Sequence, residues 1–201
     1  MTQLAQAMTW QVADVETLGD DRLAALELAS ISPSVHFLAF ATLLDKQGKL
    51  VRPCEINVLQ RRMFQVYEIM QHIGLPTHLL VLKGRQSGGS TGAAEIMYHH
   101  CRRYGCRAAC IADIFPNSDN IYNIFCRFAD NDDFPWASSW SHNSEVGRFS
   151  NSSWIEKLTA ENPNSGISGT RQAIWKSEVA KWAGRRRARR EKNELEPDGI
   201  A

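Results

Sequence analysis

Apolar residues recur near helical spacing at residues 57–74, and two stretches before them, one with an acidic first turn and one with Pro33 in its first turn, are also candidate helices. The three helices are expected at residues 20–30, 32–45 and 57–74. Asn57 is a suitable cap for the third helix, and Gly74 is a suitable end. A turn and an extended stretch are expected at residues 46–56.

The pattern changes after residue 76, where short uninterrupted apolar runs alternate with helical spacing. Residues 77–84 and 106–114 are such runs, and their length and composition predict buried strands. Each is followed by a stretch with helical spacing, at residues 90–105 and 117–130. Strand, glycine loop, helix, strand and helix is the order found in parallel sheets with right-handed crossovers. The pattern therefore predicts an α/β fold.

The last third of the chain alternates polar loops with short apolar stretches. Residues 147–161 are expected to hold two short strands around the turn SNSS, after a polar loop at 130–145. Residues 171–184 begin like a strand and end like a helix. Residues 185–201 are a basic run followed by an acidic end, which is typical of a charged tail.

The segment between the first predicted strand and its helix, VLKGRQSGGSTG at residues 81–92, carries the clearest candidate chemistry. A phosphate-binding loop presents backbone N–H groups at a helix N-terminus, and glycines permit the close approach. The usual form, G-x-x-x-x-G-K-[ST], places a lysine directly before the hydroxyl residue. Here Gly89 occupies that position, and Lys83 lies six residues earlier. A plain strand-to-helix turn is the alternative, but the predicted strand before the loop and helix after it favour phosphate binding.

Each part of such a loop has a candidate residue. Ser90, with Thr91 beside it, supplies a hydroxyl for Mg²⁺, and Lys83 and Arg85 supply positive charge for phosphate oxygens. The candidate phosphate-binding residues are Lys83, Gly84, Arg85, Gln86, Ser87, Gly88, Gly89, Ser90 and Thr91.

An ATPase also needs a carboxylate at the end of a neighbouring strand, where it orients the attacking water. The stretch AIWKSEVAKW at residues 173–182 offers Glu178 for this role. Ser177 stands where an aspartate is expected. The alternative interpretation of Glu178 is an acidic residue in the first turn of an amphipathic helix.

Composition narrows the class of protein without naming a function. The chain has 201 residues, 43% of them hydrophobic and 22% charged, with a net charge of +1, so no global charge favours nucleic acid. The sequence has neither a run of the length of a membrane span nor a secretory signal at its start. Its five cysteines form no C-x-x-C pair, which indicates reduced thiols in a cytosolic protein. A zinc cluster of residues 99–101 with Cys106 and Cys110 fits no common spacing.

Taken together, these motifs resemble those of large terminase subunits, the ATPases that package DNA into the heads of tailed phages. VLKGRQSGGST is similar to that family's loop, K-x-R-Q-x-G-x-[ST], which carries its lysine at the front. Residues 45–65 look like the segment that precedes this loop in the family, and residues 158–183 look like the stretch that contains its catalytic glutamate. The resemblance covers about residues 45–183.

The resemblance implies an incomplete P-loop NTPase core at residues 45–184, between a helical N-terminal segment at 1–44 and the charged tail at 185–201. It implies that Gln60 contacts adenine and that Glu178 polarises the attacking water. Arg85 would sense the γ-phosphate or act as an arginine finger.

The implied cofactors are ATP and Mg²⁺, with Ser90 on the metal. The implied partners are double-stranded DNA, the portal protein, the small terminase subunit and further copies of the chain. The implied compartment is the cytoplasm of a bacterial host, with no membrane association.

Two departures from the family pattern limit these expectations. Ser177 replaces the common aspartate, and the nuclease domain of a full-length terminase is missing, so we expect an N-terminal piece with weak or absent ATP turnover. One alternative is another nucleic-acid-dependent P-loop motor, such as a helicase-like protein. The other is a non-catalytic prophage remnant, either an inert fold or a module that binds nucleic acid through the basic run at 185–192.

Overall fold

The computed structural model describes residues 22–84, 87–162, 170–179 and 181–182. Within these ranges the protein is a mixed α/β structure with five helices, a five-stranded sheet and a separate two-stranded hairpin. The helices are α1 (Arg22–Ile31), α2 (Pro33–Ala39), α3 (Val58–His72), α4 (Gly89–Arg103) and α5 (Phe115–Asp130). The strands are β1 (Leu43–Leu44), β2 (Leu50–Val51), β3 (Arg107–Ala112), β4 (Trp140–His142), β5 (Val146–Phe149), β6 (Trp154–Thr159) and β7 (Ala173–Lys176).

The main sheet has the order β4-β5-β6-β3-β7 and is mixed. Strand β3 lies at its centre and pairs in parallel with β6 on one side and with β7 on the other. Strand β5 pairs antiparallel with β4 on one side and with β6 on the other. The predicted α/β class is therefore confirmed, and the antiparallel strands at one edge make the sheet mixed.

The helices cover the sheet and share one apolar core with it. Phe37 of α2, Phe64 of α3 and Tyr98 of α4 are almost fully buried in the same cluster as Ala108 of β3 and Ile155 of β6. Burial of this apolar surface is the main favourable contribution to folding. The N-terminal helix α2 thus packs directly against the elements that carry the candidate loop.

The prediction of a strand at residues 77–84 is wrong. These residues form no strand, and Leu80 and Leu82 are 88% and 89% exposed. Both edges of β3 are taken by β6 and β7, and among the described residues no strand pairs with the outer edge of β7. An apolar run becomes a strand where a neighbour supplies backbone partners, and this run has none in the described chain.

Several other predictions are confirmed with changed boundaries. The strands on both sides of the turn SNSS are β5 and β6, and β7 is the strand expected at the start of residues 171–184. The helix expected at 32–45 ends at Ala39, where the Phe40 N–H bonds to the His36 carbonyl and the chain turns toward the hairpin. The polar loop expected at 130–145 contains the short edge strand β4.

No helix in the described part of the chain is long and apolar enough to cross a membrane.

Candidate functional site

The glycine loop joins α4 through a left-handed residue. Gly88 is the N-cap of α4 and has φ 72°, a conformation that glycine adopts without the steric cost of a Cβ. Gly88 has no side chain that could cap the first-turn N–H groups of this helix. These groups and the positive end of the helix dipole together favour an anion at this position.

The N-terminus of α3 supports this loop from behind. Asn57 and Gln60 form a capping box: the Asn57 side chain accepts from the Gln60 N–H, and the Gln60 side chain accepts from the Asn57 N–H. The Asn57 Nδ2 donates to the Ser87 carbonyl at 3.2 Å, and the Gln60 Nε2 donates to the Gly88 carbonyl at 3.2 Å. Two side-chain amides from one helix therefore hold consecutive carbonyls of the loop.

The approach of these groups explains why glycines occupy the loop. A Cβ on Gly88 would lie 2.5 Å from the Asn57 Nδ2, and a Cβ on Gly89 would lie 2.5 Å from the Lys83 Cδ. A Cβ on Gly92 would lie 3.1 Å from the Gln60 Cγ. Space therefore disfavours a side chain at all three positions, and at Gly88 the dihedral angle disfavours one as well.

Lys83 reaches the first residue of α4 from the front of the loop. Its aliphatic stem crosses Gly89, although the two residues are separated by six positions in the sequence. The residue as a whole is exposed, which leaves its ammonium group accessible to a ligand.

The other predicted loop residues have simpler positions. Ser90 and Thr91 lie in the first turn of α4, and the Ser87 hydroxyl donates to the Gly84 carbonyl at 3.1 Å. Arg85 and Gln86 fall outside the described residues.

Gln60 is 5% exposed, and its amide is engaged at both ends by the protein. Its oxygen accepts from the Asn57 N–H and its nitrogen donates to the Gly88 carbonyl. A contact with adenine would have to use the second N–H of this nitrogen or the second lone pair of this oxygen, and both atoms belong to a buried side chain. The adenine contact stays a prediction.

The order of the elements indicates that Glu178 and the loop lie toward the same end of the strands. Helix α4 leads into β3 through a short turn, so its N-terminus lies toward the carboxyl end of β3, where β7 also ends. Ligand sites of parallel α/β sheets lie outside the carboxyl ends of the strands. The Ser177 N–H bonds to the Ile111 carbonyl at 2.8 Å, which fixes the backbone immediately before Glu178 to β3.

Glu178 itself has an unusual backbone. Its φ is 57°, in the left-handed region that costs a residue with a Cβ about 1 kcal/mol or more. The side chain is exposed, and its Oε2 pairs with the Lys181 Nζ at 2.8 Å. Strained residues of this kind concentrate at functional sites.

The described residues contain no group of three His, Cys, Asp or Glu side chains that could hold a metal ion. The five cysteines are free thiols. Mg²⁺ has different needs, because it keeps several waters and takes one or two protein ligands beside substrate phosphates. Coordination of Mg²⁺ by Ser90 stays a prediction.

The structure also contains a buried polar cluster, partly on α4, that the sequence patterns did not predict. The His36 Nδ1 lies 2.8 Å from the Glu95 Oε1, and the His36 Nε2 lies 3.3 Å from Asp132. Tyr98 donates to Asp132, and Arg102 donates to the Ala29 carbonyl at 3.1 Å. Because its members come from α2, α4 and the loop after α5, no local spacing could have revealed the cluster.

The charges of this cluster change the pKa of His36. Burial alone would lower the pKa of His36, but the Glu95 carboxylate and the bond to Asp132 outweigh burial and raise that pKa above its usual value. Burial also opposes ionisation of Asp132, yet its bonds to His36 and Tyr98 lower its pKa. His99 beside them has a lowered pKa, because it is buried and lies near Arg102.

With the geometry established, comparison with known proteins adds no identity. No protein-family profile matches the chain, and no curated protein matches its sequence.

Proposed function

We propose that this chain is the ATP-binding region of a phage large terminase subunit, whose hydrolysis of ATP drives double-stranded DNA into the phage head. One observation carries the proposal: the side chain of Lys83 crosses Gly89 at the first residue of α4, behind a left-handed glycine N-cap. A lysine at the front of the loop can thereby serve the position that an ordinary P-loop fills from within.

Phosphate binding at this loop would use backbone and side chain together. The first-turn N–H groups of α4 would donate to phosphate oxygens, and the Lys83 ammonium would neutralise their charge. Bound Mg²⁺ supplies charge neutralisation between phosphate oxygens, and the Ser90 hydroxyl is the group of this chain that would hold it. Arg85 and Gln86, by their place in the motif, would complete the loop.

Hydrolysis would use Glu178 at the end of β7. Its carboxylate would accept a hydrogen bond from the attacking water and orient it toward the phosphate. Ser177 offers a hydroxyl where the family commonly has a carboxylate, which would weaken the hold on the water shell of the metal. We therefore expect the chain to bind nucleotide but to hydrolyse it slowly or not at all.

The proposed partners follow from the same resemblance. They are double-stranded DNA, the portal protein, the small terminase subunit and further copies of the chain in a packaging motor. The proposed compartment is the cytoplasm of the bacterial host.

Titration with a fluorescent ATP analogue in the presence of Mg²⁺ tests the proposal. The wild-type chain should bind, and Lys83→Ala should bind about tenfold or more weakly, because a hydrogen bond to a charged group contributes roughly 1.5–3 kcal/mol. Lys46→Ala is the matched control, since Lys46 is an exposed lysine of the β1–β2 turn. Absence of binding by the wild-type chain would reject ATP binding, and equal binding by wild type and Lys83→Ala would reject the role of Lys83.

A further inference from the structure

We infer that Asn57 is a positioning residue for the phosphate loop: its carboxamide holds the Ser87 carbonyl so that the Gly88 N–H is aimed at a bound phosphate. The inference rests on the proposed function and adds a residue that the loop motif does not contain. The supporting contact is the bond from the Asn57 Nδ2 to the Ser87 oxygen, at 3.2 Å.

The geometry of the peptide unit gives the reason. In a planar trans peptide the C=O and N–H groups point in opposite directions. Because the Ser87 carbonyl is turned toward Asn57, the N–H of the same peptide, which belongs to Gly88, is turned away from α3 and into the loop. A donor fixed before the ligand arrives needs no reorganisation when it binds.

The backbone of Asn57 is itself fixed. The Asn57 N–H donates to the Gln60 Oε1 at 3.2 Å, and the Asn57 Oδ1 accepts from the Gln60 N–H at 3.0 Å. With its oxygen used by the cap, the amide nitrogen is left to face the loop. Gln60 adds a second bond, to the Gly88 carbonyl, which also accepts the first helical bond, from the Gly92 N–H.

Asn57→Ser separates the two tasks of this side chain. Serine is as good an N-cap as asparagine, so α3 keeps its cap. Its short hydroxyl cannot reach the Ser87 carbonyl while it caps the helix. Binding of ATP with Mg²⁺ should weaken about fivefold, the worth of one hydrogen bond of roughly 1 kcal/mol. Asn57→Asp also keeps the cap, but its carboxylate repels the carbonyl, so it should weaken binding further.

Inorganic triphosphate is the discriminating ligand. Displacement of the fluorescent analogue by triphosphate should show the same fold-loss in Asn57→Ser as displacement by ATP, since the affected donor faces phosphate. A loss confined to ATP would overturn the inference and assign Asn57 to the nucleoside. An unchanged affinity for both ligands would overturn it as well.

Asn151→Ser is the matched control for general damage to α4. The Asn151 Nδ2 donates to the carbonyls of Cys101 and Arg102, at 2.9 and 2.8 Å, at the opposite end of the helix from the loop. This variant should lower the melting temperature and leave both affinities unchanged. An equal loss of affinity in Asn151→Ser and Asn57→Ser would overturn the positioning role.

The same binding measurements distinguish failure of the inference from failure of the proposed function. If the wild-type chain binds neither ATP nor triphosphate, the proposed function fails and the inference fails with it. If the wild-type chain binds both and Asn57→Ser matches it, the inference alone fails.

Discussion

Two separate constraints favour glycine at position 88, and the energetic cost of each can be measured by substitution. Its φ of 72° disfavours any residue with a Cβ, and that Cβ would meet the Asn57 Nδ2 at 2.5 Å. Gly88→Ala should therefore lower the free energy of unfolding by about 2–3 kcal/mol and should also weaken nucleotide binding, because Asn57 must move. Urea unfolding and nucleotide titration measure the two effects.

Gly48→Ala is the control for the dihedral angle alone. Gly48 has φ 78°, but no atom lies within 4 Å of its Cβ position. Its substitution should cost about 1 kcal/mol of stability and should leave binding unchanged. Equal stability costs for the two variants would contradict the packing contact at Gly88.

At the scale of elements, the end of β7 shows a residue placed against its own backbone preference. Glu178 has φ 57° and is exposed, and its ion pair with Lys181 contributes little because both groups face solvent. Glu178→Gly should therefore raise the free energy of unfolding by up to about 1 kcal/mol through relief of the strained dihedral. Urea unfolding at neutral pH measures the gain.

Glu178→Gln separates strain from charge at this position. Glutamine keeps the Cβ and removes the carboxylate, so its stability should stay within about 0.5 kcal/mol of the wild type. A gain in Glu178→Gln as large as that in Glu178→Gly would show that the charge, and not the dihedral angle, destabilises the end of β7.

The elements differ in how far the sequence predicts them, and the reason is where their partners lie. Helix α3 follows from local spacing, and its cap at Asn57 is confirmed. Strand β3 follows from a short apolar run that the sheet surrounds on both edges. Residues 77–84 are also a short apolar run, but strand formation depends on a neighbour that no local pattern reveals.

The candidate site likewise contains residues that the sequence predicts and contacts that it does not predict. The glycines and Lys83 can be found from the motif, because their chemistry is local to one loop. The bond from Asn57 to the Ser87 carbonyl spans thirty positions and appears only when α3 is packed beside the loop. Burial of the Gln60 amide is equally a product of packing, and it changes what an adenine contact would require.

At the scale of the whole molecule, one buried charge cluster joins parts of the chain that are distant in sequence. His36 comes from α2, Glu95 from α4 and Asp132 from the loop that follows α5. All three side chains are almost completely shielded from solvent. Arg102 of α4 lies close enough to lower the pKa of His36, and both of these residues lower the pKa of His99. A protonated His36 lies between two carboxylates, so loss of its proton removes one of the positive charges that offset this buried negative charge.

This arrangement predicts that stability falls as pH rises from 6.5 to 8. The folded pKa of His36 is raised above the unfolded value of about 6.5, so its contribution is complete below that value and is lost as pH rises through the folded pKa. The pKa values of His99 and His100 are lowered by burial, so both are neutral over this window. One proton changes stability by at most about 1.4 kcal/mol per pH unit, and urea unfolding across the window measures the slope.

His36→Gln should be less stable overall and should lose the slope, because it cannot bind the proton. His72→Gln, at the exposed end of α3, should keep the slope and serves as the matched control. Should His36→Gln fail to fold, NMR titration of the His36 imidazole in the wild-type chain measures the same quantity directly. A flat stability profile together with an imidazole that titrates at or below its ordinary pKa would mean that Glu95 and Asp132 do not hold a proton on His36.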